Sequence, residues 1–153
     1  MTKLFLSLAF PVLLLAKNSF SHCQIPCGIY DDSLRIELIQ EHITTVEKSM
    51  IEITKLSIKE NAHLNQIIRW VNNKELHVAK IQTIINEYFL QQRIKPKAIG
   101  DDHYNQYIQN IKLLHQLSVY AMKAKQVVDL KIVSTMRQTL QEFANSYFHL
   151  YNH

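Results

Sequence analysis

Two thiols, an imidazole and the makings of a tight turn fall within nine residues of this sequence, His22-Cys23-Gln24-Ile25-Pro26-Cys27-Gly28-Ile29-Tyr30. Both cysteines of the chain lie here, with one of its two glycines and one of its three prolines. If the chain began at His22, the free α-amine and the Cys23 amide nitrogen would close one chelate ring on a metal. The same amide and the Cys23 thiolate would close a second. Cys27 adds another thiolate if the chain doubles back, and Pro26, with its fixed φ, and Gly28, free to take φ > 0, suit such a turn. The product is a flat set of two nitrogens and two sulfurs, with the His22 imidazole available along the axis. Planar four-coordination suits nickel(II) or copper(II), whereas zinc and iron–sulfur sites favour tetrahedral, sulfur-rich sets. The spacing alone also permits a Cys23–Cys27 disulfide, the usual fate of two cysteines in an exported chain.

The metal reading depends on how the chain is processed. Residues 1–21 have a basic start (Lys3), an apolar run from Leu4 to Ala16 and a polar end at Lys17-Asn18-Ser19-Phe20-Ser21. This is the three-part layout of a secretory signal, and the run is short of the roughly 20 residues that a membrane-spanning helix needs. Ser19 and Ser21 supply the small side chains that a peptidase prefers before its cut. Cleavage after Ser21 would make His22 the new amino terminus, and a cut one residue to either side would lose the chelating arrangement.

The elements that must position this hook are helical. Few glycines and prolines argue against a turn-rich β-fold. Net charge is only +4 and the basic residues are scattered, without the dense tract that follows a nucleic-acid backbone. Asp31-Asp32-Ser33 signals a helix start. Ile39, Ile43, Val46, Met50 and Ile53 then repeat by fours and threes, a bundle-type stripe. A second helix over about 62–92 carries Leu64, Ile67, Val71, Val78, Ile81, Ile85 and Tyr88, and its repeat turns Lys74 or Glu75 inward. Residues 95–100 read as a loop. Asp101-Asp102 opens a third helix with Tyr107, Ile111, Leu114, Leu117 and Ala121. Asp129 caps a fourth with Val133, Met136, Leu140, Phe143, Tyr147 and Leu150. The expected fold is all-α: an antiparallel four-helix bundle over 31–153, preceded by an irregular metal-binding hook over 22–30 and a cleavable leader over 1–21. The remaining histidines read as surface or core residues.

The pattern His22-Cys23-x-x-Pro26-Cys27-Gly28-x-Tyr30 resembles the amino-terminal nickel hook of the nickel superoxide dismutases, where it follows a removable leader and precedes a helical bundle. The resemblance implies that His22 gives its amine and axial imidazole, Cys23 its amide and thiolate, and Cys27 the second thiolate, to one nickel ion per subunit. It implies disproportionation of superoxide to dioxygen and peroxide by nickel(II)/nickel(III) cycling, with Tyr30 over the open face ordering water and small anions. Arg35-Ile36-Glu37 is similar to a family segment whose glutamate hydrogen-bonds the axial imidazole, which makes Glu37 the candidate for that role. Glu87-Tyr88-Phe89 is similar to a segment whose tyrosine approaches the metal, and Tyr30 and Tyr88 are the candidate proton carriers. The family's supporting arginine has no clean counterpart, and Arg69 or Lys74 could serve. Gln24 stands where the family often has an acidic residue, and the leader looks like an export signal where family leaders are often polar. A homohexamer, whose neighbouring subunit covers the hook, is the assembly the resemblance implies. Export predicts a periplasmic or extracellular protein with no stable membrane anchor after cleavage and no nucleic-acid partner. The alternatives from the residues themselves are a secreted metal carrier and a disulfide-bonded protein without catalysis.

Overall fold

The computed structural model describes residues 31–58 and 63–151, with side chains described as far as His149. All regular elements there are helices: α1 (Asp32–Ser57), α2 (Leu64–Thr83) continued without a break by a π-helical segment, π1 (Ile84–Arg93), then α3 (Tyr104–Gln126) and α4 (Leu130–Tyr151). The helix starts follow the acidic signals in the sequence. The Asp31 carboxylate accepts from Ser33 N–H at 3.0 Å, and Asp129 accepts from Lys131 N–H at 2.9 Å. Asp101 accepts from His103 N–H at 2.8 Å, just before α3. The 95–100 loop ends on Gly100, whose φ of +98° is one that only glycine adopts without strain.

Side-chain pairs fix the direction of every helix. Between α1 and α2 they run Ser49–Asn73, His42–His77 and Asp32–Tyr88, one number falling as the other rises. Gln82 and Lys74 on α2 meet the Ser118 and Lys125 carbonyls on α3, again in opposite order. The amide of Gln106 near the start of α3 donates to the Ser146 carbonyl near the end of α4. Glu47 on α1 holds Arg137 on α4, with its carboxylate oxygens 2.7 and 3.0 Å from the guanidinium. Each helix therefore lies antiparallel to its neighbours, and the four pack together as an antiparallel four-helix bundle.

The core is the expected stripe on α1 and α4: Ile39, Ile43, Val46, Met50 and Ile53 face Val133, Met136, Leu140, Phe143 and Tyr147. On the other two helices the stripe differs from expectation. The start of α2 overhangs the core, so Leu64 is exposed, Ile67 and Val71 are half-buried, and the buried run begins at Lys74. On α3, Asn110, Leu113 and Ala124 turn inward along with Leu114, Leu117 and Ala121, while Tyr107 and Ile111 are half-buried. Asn110 is accommodated because its side-chain oxygen accepts the Ser146 hydroxyl at 2.7 Å. The π geometry of residues 84–93 is the larger departure, since the apolar repeat implied plain α-helix to about residue 92. Ile94 N–H reaches back five residues to the Phe89 carbonyl at 2.9 Å, which lets the consecutive Tyr88 and Phe89 both enter the core.

Lys74 is buried, as the α2 repeat implies for this position, and its ammonium is used structurally. Nζ donates to the Lys125 carbonyl at 2.7 Å and the Val127 carbonyl at 3.0 Å, capping the C-terminus of α3 where the backbone has run out of its own donors. Burial lowers its pKa, and the nearby Glu75 partly opposes that shift. Lys74→Met keeps the apolar stem but orphans both carbonyls. It should cost about 2–3 kcal/mol and lower the thermal midpoint by about 5–10 °C, measured by circular dichroism. An unchanged midpoint would show that these hydrogen bonds contribute nothing net.

Candidate metal centre

The hook ligands His22, Cys23 and Cys27, together with Tyr30, lie outside the described residues, as does the 1–21 leader. What the structure describes is the bundle end that the hook leads into, beginning at Asp31. Among the described residues, no group of three or more His, Cys, Asp or Glu side chains converges to hold a metal ion. Thiolate and imidazole side chains such as those of the His22–Cys27 motif are donors that suit a late transition metal such as nickel.

The first residue of α1 organises this end. The Asp32 carboxylate accepts the Tyr88 hydroxyl on one oxygen. On the other it accepts the Tyr147 hydroxyl at 2.7 Å and two guanidinium donors of Arg93, at 2.7 and 3.1 Å. One carboxylate thus ties the start of α1 to the end of π1 and to the last turns of α4. Its position at a helix N-terminus favours the charge further. The π segment makes the arrangement possible. Residues five apart point about 140° apart around an α-helix. At about 4.4 residues per π turn they fall within roughly 50° of each other, so Tyr88 and Arg93 reach the same carboxylate.

The electrostatics follow from this geometry. Burial alone would raise the Asp32 pKa, but hydrogen bonds from Arg93, Tyr88 and Tyr147, with the Arg93 charge, outweigh it and hold the carboxyl below its usual range. Burial pushes the Tyr88 phenol up to about 12, and the hydrogen bond to Asp32 adds to the shift. Tyr147 is raised for the same two reasons. Both phenols therefore stay protonated donors near neutrality. The Arg35 guanidinium lies 5.0 Å from the centre of the Tyr88 ring. Beneath the carboxylate, Phe89 packs edge-on against Tyr88, Phe143 and Tyr147, with ring centres 5.0–5.5 Å apart.

The structure brings some of the sequence-derived candidates to this end and leaves others away from it. Tyr88 is here, buried, with its hydroxyl on Asp32. Glu37 is exposed on the second turn of α1, in a groove of about 580 Å³ shared with Ser33, Ile36, Gln141, Asn145 and Phe148. Lys74 lies on the order of 20 Å from Tyr88 along α2 and is committed to the end of α3. Arg69 is further still, lining a groove with Lys48 and Trp70. The cation on the Asp32 carboxylate is Arg93, which the sequence reading did not single out. The antiparallel topology narrows the search for it, because the ends of the second and fourth helices lie at the start of the first.

Asp32→Asn removes the charge and leaves Arg93 without its partner. The cost should be about 1–3 kcal/mol, towards the lower end because Arg93 keeps partial solvent contact. The effect depends on pH with a definite sign. The folded-state pKa is depressed, so the stabilisation is full above the unfolded carboxylate value and is lost as pH falls through the lower folded value. Urea titrations of wild type and variant should differ at pH 7 and converge below about pH 3. A constant difference across that range would show that the Asp32 charge is not the source.

The family model for nickel-containing superoxide dismutase matches residues 17–150, a span that includes the whole hook and helices α1 to α3 with nearly all of α4. No curated protein and no solved structure matches the chain. A match covering most of the chain, on a helical bundle that begins directly after the hook motif, means that the chain belongs to the nickel-containing superoxide dismutase family, a family of nickel-dependent oxidoreductases that act on superoxide.

Proposed function

We propose that the chain is cut after Ser21, and that His22, Cys23 and Cys27 then hold one nickel ion at the bundle end fixed by Asp32. The observation that carries this reading is positional. The hook motif runs through Tyr30 straight into a capped helix whose first residue is bound to two other helices. A ligand loop anchored there has a fixed exit from the bundle. His22 would contribute its amine and imidazole, Cys23 its amide nitrogen and thiolate, and Cys27 its thiolate.

When bound, the nickel supplies the one-electron couple for disproportionating superoxide to dioxygen and hydrogen peroxide. The chain's own residues have the other tasks. Tyr30 orders water and the small anionic substrate beside the hook and passes protons to it. Glu37, on the exposed face of α1, holds the His22 imidazole in one orientation. Tyr88 keeps its proton near neutrality, so it acts in the site chiefly as a donor that fixes Asp32, and proton delivery rests mainly on Tyr30 and water. Arg93 takes the place proposed for a supporting cation, because it is at this end and Arg69 and Lys74 are not. The leader directs export to the periplasm or outside the cell. A neighbouring subunit covers the hook in a homohexamer.

Cys23→Ser tests the ligand set. Superoxide turnover should fall by more than about 100-fold, beyond the 10–100-fold loss typical of outer-sphere partners, while the far-ultraviolet helical signal is retained. Surviving activity would overturn the assignment. Thiol titration of the wild type separates the rivals. A carrier binds nickel, gives it up readily to chelators and shows no turnover, and a Cys23–Cys27 disulfide shows no free thiols and no nickel.

A further inference from the structure

About 15 Å along α1 from Asp32, a second group of metal-ligating side chains comes together. His42 on α1 and His77 on α2 face each other across the helix pair, with their Nδ1 atoms 3.1 Å apart. The ring centres are 4.9 Å apart and the planes cross at 80°. Both rings are partly buried.

Two imidazoles that share a metal have a defined geometry. With metal–nitrogen bonds of 2.0–2.1 Å, two cis nitrogens lie about 2.9 Å apart at a square-planar ion and about 3.3 Å apart at a tetrahedral one. The ring centres then lie about 4.5 to 5.2 Å apart. Both observed distances fall inside these ranges. A straight Nδ1–H···Nδ1 hydrogen bond of the same length would instead hold the centres about 5.4 Å apart. The separation of nitrogens and ring centres thus fits two imidazoles sharing one ion between α1 and α2 better than a straight hydrogen bond. The charged groups acting on the pair are Glu41, which favours a cation, and Lys80, which opposes one.

We propose that His42 and His77 form a second metal site, a bis-imidazole chelate for a divalent late first-row ion such as zinc, copper or nickel, clamping α1 to α2. With no third His, Cys, Asp or Glu converging among the described residues, water completes the coordination and the ion exchanges readily. The site is independent of the hook, and its test stands whether or not the hook holds nickel.

The probe is zinc(II) alone, added to the full, nickel-loaded chain at pH 7.5, with the thermal midpoint and calorimetric stoichiometry as readouts. Zinc at about 100 µM should raise the wild-type midpoint by several degrees, with one ion bound per chain beyond the nickel. His42→Ala and His77→Ala should each lose that shift and that ion while keeping helical content and superoxide turnover. His77→Gln, which keeps size and polarity, serves if the alanine variants fail to fold. Equal zinc responses in wild type and variants would place the binding at other histidines and overturn the proposal. So would no response in the wild type up to about 1 mM zinc, leaving the two rings simply hydrogen-bonded.

Discussion

One carboxylate holds this bundle closed at the end that matters. Asp32 sits where α1 begins and draws in Tyr88 and Arg93 from the end of π1 and Tyr147 from α4. Three of the four helical arms therefore meet at one charge, and the fourth joins through the contact of Gln106 with the Ser146 carbonyl one residue from Tyr147. A buried or half-buried charge is tolerable only when its donors are all in place. Here the donors lie far apart in sequence, so the carboxylate is satisfied only when the helices are in register. The same constraint fixes the start of α1 within the bundle.

The π segment is the structural consequence of that demand. A regular α-helix could bury Tyr88 or direct Arg93 at Asp32, but it could not do both. Adding a residue to each turn lets Tyr88 and Phe89 fill the core together while Arg93 swings beneath the start of α1. π-helical turns are uncommon and recur at functional sites. This one underlies the bundle end adjoining the proposed metal hook. In the middle of α2 the chain follows the simpler logic of a lysine capping a neighbouring helix, with Lys74 serving the last carbonyls of α3.

How much of this was readable from the sequence depended on the range of each interaction. The stripes on α1 and α4 are periodic and local, and they were legible residue by residue. The repeat of its own helix pointed to Lys74 or Glu75 as the inward polar residue, and Lys74 is the buried one. The family was legible because the motif that carries the resemblance is contained in nine consecutive residues. Arg93 and the π turn were not, because a period of 3.6 cannot register a five-residue hydrogen bond. The His42–His77 pair was not legible because its members are 35 residues apart on different helices, where no local spacing links them.

The proposed nickel site requires a chain end to be created beside the His22 imidazole. Intact-mass analysis and amino-terminal sequencing of the protein purified from its natural compartment, with metal content measured on the same sample, test this most directly. The account predicts a chain beginning at His22, with reduced cysteines and one nickel per subunit. A chain beginning elsewhere, or one whose cysteines are joined and which holds no nickel, would contradict it.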